Sequence, residues 1–149
     1  MSDPSPKFLG QGWRFPPEFN VQLDASGSAT GPGSTGMIAG DADIHESLQI
    51  LFSTFRGERI LKPDYGVGIE EHVFDPTDET QLGDLRSQME HAILFFEPRI
   101  KLTSISLDTS EVENGVLNIR IEYRIPAINS RSNIVYPMYF KEGTNIRAR

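Results

Sequence analysis

The chain contains no cysteine, which excludes disulfide bonds, thiolate metal ligands and cysteine nucleophiles. No apolar run approaches the roughly 20 residues that a membrane span requires, so we expect no insertion into a bilayer. The first residues, MSDPSPKF, lack both the basic segment and the apolar core of a secretion signal. Together these absences predict a protein that is assembled in the cytoplasm.

The sequence also lacks the motifs of the common catalytic, metal and nucleotide sites. His45, His72 and His91 stand in no spacing typical of metal ligands. There is no GxSxG elbow, and the two GxG pairs, 10–12 and 66–68, lack the lysine and helix start of a nucleotide loop. We therefore predict no catalytic residue, no metal and no cofactor.

Positive charge is scarce in the first two thirds of the chain. Residues 1–97 hold 16 Asp or Glu against 6 Lys or Arg, a net of −10, whereas residues 98–149 hold 5 against 8, a net of +3. The total of −7 argues against binding to nucleic acid or to anionic lipid. The asymmetry fits either a head-to-tail contact between subunits or simple solvation, and both remain open.

Residues 77–100 carry the strongest helical pattern. Asp78 and Glu79 stand where a helix N-terminus favours negative charge, and Pro98 predicts that the helix ends near Phe96. Its apolar residues recur at three-and-four spacing: they are Leu82, Leu85, Met89, Ala92, Ile93 and Phe96.

Residues 41–56 predict a second helix. Asp43 and Glu46 resemble a capping box, Gly57 supplies a stop, and a further short helix is a candidate at 69–73. The expected buried stripe consists of Ile44, Leu48, Leu51, Phe52 and Phe55.

Three strands are predicted after the helices, at 99–108, 117–125 and 133–141. Glu113-Asn114-Gly115 is typical of a hairpin turn, and the middle strand alternates strictly between apolar and polar residues. The fold class is therefore α+β, with two main amphipathic helices packed on a small, mostly antiparallel sheet.

We divide the chain into an extended N-terminal arm (1–18), a single domain (19–140) with a flexible glycine-rich loop (24–36), and a basic C-terminal tail (141–149). The arm carries large apolar side chains that need cover, either from the body of the domain or from a neighbouring protein. They are Trp13, Phe15 and Phe19.

Glu97 and Arg99 flank Pro98 at the predicted helix-to-strand turn. On an extended segment, residues two apart project to the same side, so the two charges should meet. A glycosidase acid must be protonated, whereas Arg99 favours the ionised form of Glu97. The pair therefore suits a protein partner better than a reaction.

The last predicted strand, 133–141, is rich in aromatic residues and contains Pro137. Proline cannot donate to a central ladder, so this strand should lie at a sheet edge. An exposed edge of this kind favours occupation by a strand of another chain, or cover from the N-terminal arm of the same chain.

Several segments together resemble the GPW-type, or "lysozyme-like", baseplate wedge family of contractile tails. They are GQGWRFPPEF near the start, DIHESLQILFSTFRGERI followed by PDYG (with Arg59, Pro63, Asp64, Tyr65 and Gly66), FEPRI, and RSNIVYPMY. The family includes sheath-initiating subunits of phage tails, type VI secretion machines and extracellular injection particles. The resemblance covers residues 10–140, and its most specific piece is Glu97-Pro98-Arg99.

The resemblance implies a structural, non-enzymatic subunit, present in six copies around the tail tube, with tube or hub proteins as further neighbours. It implies that the larger wedge proteins bind Glu97, Pro98, Arg99, Arg59, Asp64 and Tyr65. It implies that the sheath protein binds the edge strand and tail, through Asn133, Ile134, Val135, Tyr136, Met138, Tyr139, Lys141, Arg147 and Arg149. The alternative function is a peptidoglycan hydrolase that uses Glu97.

Overall fold

The computed structural model describes residues 9–69 and 78–139. Within these residues the elements are β1 (Gln11–Trp13), β2 (Phe19–Asn20), β3 (Ser34–Thr35), β4 (Met37–Ala39), α1 (Asp41–Ser53), α2 (Glu79–Phe96), β5 (Lys101–Asp108), β6 (Val116–Ile125) and β7 (Ser130–Tyr139). The chain divides into two compact units at Ser47 and Leu48. The predicted α+β class is confirmed.

The first unit contains a long β-hairpin that occupies residues 11–39. β1 pairs antiparallel with β4, so that Trp13 lies opposite Met37, and β2 pairs antiparallel with β3. An isolated bridge between Leu23 and Ala29 continues the pairing towards the tip. Within the described part of the predicted arm, residues 11–13 are therefore paired with β4.

The tip of the hairpin is held by Asp24. Its carboxylate accepts hydrogen bonds from the backbone N–H groups of Ser26 and Ser28, both at 2.9 Å. The hydrogen bond from the Ser26 side chain, followed by that from Ser28, lowers the pKa of Asp24. Residues 24–36, which the sequence predicted as a flexible loop, form this tip and the returning side of the hairpin.

Helix α1 buries the stripe that the sequence predicted, with the exception of its last member. Ile44, Leu48, Leu51 and Phe52 are buried, whereas Phe55 is half-buried and follows the end of the helix at Ser53. The helix therefore ends three residues earlier than predicted.

The predicted capping box at the start of α1 is wrong. The helix begins at Asp41, which places Asp43 inside the first turn rather than at the cap. Glu46 instead accepts a hydrogen bond from the backbone N–H of Phe15, at 2.8 Å. The Glu46 carboxylate, which the local sequence pattern assigned to the helix end, therefore binds the hairpin instead.

Helix α2 matches its prediction closely. Asp78 is the N-cap, and its side chain accepts the backbone N–H of Thr80 at 2.8 Å. The helix ends at Phe96, one residue before the proline-flanked turn. Four predicted stripe positions are buried and two are half-buried: the first group is Leu85, Met89, Ala92 and Ile93, and the second is Leu82 and Phe96.

The three remaining strands form an antiparallel sheet in the order β5-β6-β7. The alternation predicted for the middle strand, 117–125, is confirmed, because all five of its apolar positions are buried: Leu117, Ile119, Ile121, Tyr123 and Ile125. Gly115, at φ 74°, and Asn129, at φ 50°, supply the left-handed residues of the two connecting turns. The core of the second unit lies between this face of the sheet and the buried stripes of the helices.

Two predictions on elements fall outside the described residues. The candidate short helix at 69–73 lies almost wholly in the segment 70–77, and the end of the third predicted strand lies beyond Tyr139. Among the residues that are described, no helix is both long enough and apolar enough to cross a membrane.

Candidate functional site: the ion-paired turn and the open sheet edge

The turn between α2 and β5 follows from one proline. Pro98 cannot continue the helix, and Glu97 leaves helical geometry at φ −129° and ψ 71°. The N–H of Glu97 still donates to the carbonyl of Ile93 at 2.9 Å, and the N–H of Ile100 donates to the carbonyl of Glu97 at 3.4 Å. The backbone is therefore fixed on both sides of the proline.

Glu97 and Arg99 form a two-pronged ion pair across this turn. The Nε of Arg99 donates to Oε1 of Glu97 at 2.6 Å, and its Nη2 donates to Oε2 at 2.7 Å. Glu97 is only 2% exposed, whereas 28% of the Arg99 side chain remains accessible. The pair is thus anchored from inside by the carboxylate and reaches the surface through the guanidinium.

This geometry limits the chemistry that Glu97 can perform. Both carboxylate oxygens of Glu97 accept hydrogen bonds from one guanidinium. A general acid must reach the bond that it cleaves. In this turn the group that reaches the surface is the Arg99 guanidinium, whereas the Glu97 carboxylate is buried.

The loop 54–69 places an aromatic stack against the end of α2. The guanidinium of Arg59 lies 4.0 Å from the ring centre of Tyr65, and the Tyr65 ring meets Phe96 edge-on at 5.1 Å. Burial raises the pKa of Tyr65; the charge of Glu97 also raises it, while Arg59 lowers it. The structure therefore assembles Arg59, Tyr65 and the ion-paired turn into one cluster.

Gly66 allows this loop to lie on the end of α1. Its φ is 109°, and a Cβ at this position would lie 2.2 Å from the carbonyl oxygen of Thr54. The N–H of Gly68 then donates to the same carbonyl at 2.9 Å. Only glycine fits so close a backbone approach, which explains why the PDYG segment ends in this residue.

A groove of about 610 Å³ runs beside the turn. We name it the Phe95 groove; its walls are Arg56, Leu61, Lys62, Pro63, Asp64, Tyr65, His91, Phe95 and Phe96. Phe95 is 63% exposed and Leu61 is 95% exposed. Asp64 and Tyr65 had been predicted as partner-binding residues, and the structure puts both in this wall.

Sequence reasoning missed Phe95 and Leu61. Phe95 lies on α2 outside the buried stripe, and Leu61 follows Ile60 in a loop otherwise rich in charge. Both signals were readable, since large apolar residues outside a core pattern indicate a contact surface.

Strand β7 lies at an edge of the three-stranded sheet within the described residues. Its register with β6 runs without a break from Ser130 to Tyr139, and Pro137 stands opposite Asn118. Because the ladder is continuous, the missing N–H of Pro137 falls on the outer side. Peptide groups alternate in direction along a strand, so the N–H and C=O groups of Val135 and Tyr139, each two residues from Pro137, also point away from β6.

The side chains of β7 divide as the pleat requires. Ile134 and Met138 are buried and Tyr136 is half-buried, with its ring meeting Phe52 edge-on at 5.9 Å. Val135 and Tyr139 are exposed at 50% and 68%. The first group builds the core, whereas the second group and the other exposed residues of β7, which are Arg131, Asn133 and Pro137, are available to another protein.

The aromatic residues of the hairpin are exposed. Trp13 and Phe19 meet edge-on at 6.4 Å, and Phe15 is also more than half exposed. The kind of cover that these side chains receive stays a prediction.

Other predicted features are outside the structure or leave no site. Lys141, Arg147 and Arg149 lie in the segment after Tyr139, which is not described. Within residues 9–69 and 78–139, no group of three or more potential metal ligands occurs.

The fold and the turn define an α+β domain with two candidate contact surfaces, the ion-paired turn with its groove and the β7 edge. Residues 39–130 match the profile of the family described as baseplate wedge protein gp25, and the chain belongs to that family. No match was found among curated proteins.

Two solved structures are similar to this chain. The first, from Geobacter sulfurreducens, is described as a candidate tail lysozyme; it is 42% identical, covers 70% of this chain and 94% of its own, and has a TM-score of 0.63. The second is a chain of the six-fold symmetrised baseplate of the anti-feeding prophage; it is 24% identical, covers 91% of this chain and 90% of its own, and has a TM-score of 0.52. The second likeness concerns the fold alone.

Proposed function

We propose that this chain is a structural, non-enzymatic component of a contractile injection particle. Its role is to join the wedge complex of the baseplate to the first ring of the sheath around the tail tube. Membership of the baseplate wedge family and the likeness to a baseplate chain support this role. The chain is made in the cytoplasm and enters a tail-like particle in six copies.

The observation that carries the proposal is the ion pair of Glu97 and Arg99. Its two hydrogen bonds, at 2.6 and 2.7 Å, use both carboxylate oxygens and leave Arg99 as the part that reaches the surface. Breaking a buried pair from one side costs on the order of 3–5 kcal/mol, so Glu97 holds Arg99 firmly at the surface turn. We propose that a partner recognises Arg99 and Pro98 in this fixed position.

In this proposal the larger wedge proteins contact the turn together with Arg59, Asp64 and Tyr65. Arg59 lies over the Tyr65 ring, and that ring meets Phe96 edge-on at the end of α2. Asp64 lies in the wall of the Phe95 groove. Glu97 acts from beneath by holding Arg99 in one orientation. The recognition surface is therefore rigid before the partner arrives, which lowers the entropic penalty of binding.

The sheath protein is proposed to add a strand to the open edge of β7. Peptide groups at Val135 and Tyr139 point outwards and can pair with an incoming strand. The exposed side chains beside them supply apolar contact. The sheath protein is also proposed to bind the basic tail, 141–149, through Lys141, Arg147 and Arg149, and tube or hub proteins are further neighbours.

The experiment compares Val135→Pro with Val135→Thr in particles that contain this chain. Proline at 135 removes one outward N–H, on the same side as Pro137, and leaves the ladder to β6 intact. Electron microscopy should show baseplates and tubes without ordered sheath for Val135→Pro, and sheathed particles for Val135→Thr. Normal sheath on Val135→Pro particles would contradict the proposed binding of the sheath protein to the β7 edge.

A second candidate function is peptidoglycan hydrolysis, because a 42% identical protein is described as a candidate tail lysozyme. In this alternative Glu97 would be the acid. Zymography with the purified chain separates the two functions. Clearing that disappears in Glu97→Gln and persists in Arg99→Ala favours the hydrolase; absence of clearing at micromolar chain agrees with the structural role.

A further inference from the structure

The exposed face of the three-stranded sheet carries three cations in one line. Lys101 on β5 lies opposite Arg124 on β6, and Arg124 lies opposite Arg131 on β7. All three residues are exposed, on the face opposite to that of the buried Tyr123. Residues directly opposite in an antiparallel pair have Cβ atoms only about 4.5–5.5 Å apart. We name these three residues the cationic row.

The cationic row is unfavourable for the isolated sheet. Like charges directly opposite one another destabilise a strand pair, and the row contains two such pairs in succession. Among the described residues, none of the three cations forms an ion pair. Arg99, which lies two residues before Lys101, adds no net charge because it pairs with Glu97. A carboxylate placed beside the row would therefore stabilise it.

The carboxylates of the same face do not balance the row. Glu122 lies on β6 between Arg120 and Arg124, and Asp108 lies at the far end of β5. The two glutamates of the β5–β6 turn lie at that far end as well. With Arg120, the exposed face of the three strands holds four cations against two carboxylates, an excess of two positive charges. The excess lies at the end of the sheet that holds the cationic row.

The row ends at the open edge of the sheet. Arg131 belongs to β7, and among the described residues no strand lies on the outer side of β7. A strand added to this edge lies about 4.8 Å from β7 and places one side chain next to Arg131 on the same face. The next side chain in the row therefore comes from the partner and not from this chain.

A cavity of about 630 Å³ leaves room for that side chain. Its lining includes Arg124, Arg131 and Asn133, with Glu122 as its carboxylate. A guanidinium binds a carboxylate through two parallel hydrogen bonds, which no neutral side chain replaces at equal strength. The charge of the cavity thus favours an acidic residue at this position.

The backbone of β7 limits the register of an added strand. Peptide groups at every second residue from Arg131 to Tyr139 point outwards, but Pro137 has no N–H to donate. The uninterrupted run of outward N–H groups therefore lies between Arg131 and Val135. A strand that uses this run has one residue next to Arg131 and another, four positions away, next to the exposed Val135.

We infer that the strand added to β7 carries an aspartate or a glutamate beside Arg131, and an apolar residue four positions away beside Val135. This inference rests on the proposed function and adds the charge and the register of the partner strand. It makes Arg131 the residue of the edge that selects an acidic strand.

The first test reverses the charge of position 131 in particles that contain this chain. Arg131→Glu should lower the fraction of sheathed particles roughly tenfold, because two carboxylates would then be opposed at the interface. Arg120→Glu is the matched control, since it makes the same change on the same face but on the central strand. It should leave sheathing close to that of the unsubstituted chain. Circular dichroism verifies that both variants fold, and equal sheathing of the two contradicts the inference.

The second test separates the stability of the sheet from partner binding. Arg124→Glu places a carboxylate between Lys101 and Arg131, so the melting temperature of the isolated chain should rise. Sheathing should fall, because Arg131 then has a partner within its own chain. Arg124→Gln is the control, and it should raise the melting temperature less and preserve the sheath. A lower melting temperature or full sheathing of Arg124→Glu would contradict the inference.

The third test identifies the partner residue. A photoreactive p-benzoylphenylalanine at Asn133 leaves the cationic row intact, and Thr103, exposed on β5 at the other edge, is the control position. After irradiation of assembled particles, mass spectrometry should find position 133 linked to a segment with Asp or Glu within three residues of the attachment site. Replacing that residue by lysine in the partner should restore the sheath of Arg131→Glu particles.

A linked segment without a nearby carboxylate, or a lysine exchange that restores no sheath, overturns the inference. Both results leave the proposed function standing, because a strand of another composition can still add to β7. Linkage of position 133 to residues 1–8, 70–77 or 140–149 of the same chain would contradict the inference and the proposed strand addition together. Normal sheath on Val135→Pro particles would contradict the strand addition itself.

Discussion

The guanidinium of Arg99 donates hydrogen bonds to both carboxylate oxygens of Glu97 across Pro98, at 2.6 and 2.7 Å. The carboxylate is buried and the guanidinium reaches the surface. The pair therefore has two consequences that can be measured apart. It stabilises the isolated domain, and it orients the surface on which we expect a partner to bind.

Removal of Arg99 should destabilise the isolated chain. Arg99→Ala leaves Glu97 buried without its main partner, and we expect the free energy of unfolding to fall by on the order of 3–5 kcal/mol. Urea denaturation followed by circular dichroism measures this change. The exposed Arg86→Ala should shift the value by no more than about 0.5 kcal/mol; equal effects would contradict a special role for the pair.

Arg99→Lys separates charge from geometry. Lysine keeps the positive charge but cannot form two parallel hydrogen bonds to one carboxylate. We expect a smaller loss of stability than in Arg99→Ala, together with poor incorporation into particles. Full incorporation of Arg99→Lys would show that charge alone suffices at this turn.

Two glycines should respond in opposite directions to alanine. Gly66→Ala introduces a Cβ that would meet the carbonyl oxygen of Thr54 at a residue with φ 109°, so we expect a loss of more than about 1 kcal/mol. Gly83 lies inside α2 with open space around its Cβ position, so Gly83→Ala should stabilise the chain by up to about 1 kcal/mol. Thermal unfolding of the two variants compares them directly, and a stabilised Gly66→Ala would contradict the observed loop geometry.

Alkaline pH should weaken the loop that carries Tyr65. Burial raises the pKa of Tyr65 above its ordinary value of about 10, so the folded state keeps the phenol protonated where the unfolded chain loses the proton. The stabilising contribution is complete below pH 10 and is lost as pH rises from there through the folded-state pKa. Tyr65→Phe should therefore lose less stability than the unsubstituted chain as the pH rises above 10. Parallel losses would show that Tyr65 is not the responsible group.

Local pattern predicted the second unit well, because its elements have strong periodicity and clear stop signals. Helix α2 ends before Pro98, as expected. The alternation around Ile121 identified the solvent-exposed and buried faces of β6. The same two-residue spacing brought Glu97 and Arg99 together. These features depend on neighbours in sequence, which is why sequence alone contained them.

The first unit was predicted less well, because its structure depends on partners distant in sequence. The glycine- and serine-rich stretch at 24–36 has no strand propensity, yet it pairs with residues before Asp24 through backbone hydrogen bonds such as that from Thr30 to Gln22, at 2.9 Å. The carboxylate of Glu46 likewise accepts a hydrogen bond from the backbone of Phe15 rather than from the end of its own helix. The Phe95 groove was missed for a related reason, since it forms only when loop 54–69 folds back beside α2.

The most direct test of the central claim is a map of the assembled particle at a resolution that shows side chains. We predict a protein neighbour in contact with Arg99 at the α2–β5 turn, and a strand of the sheath protein paired with the outer edge of β7. A particle in which both surfaces of this chain face solvent would contradict the account.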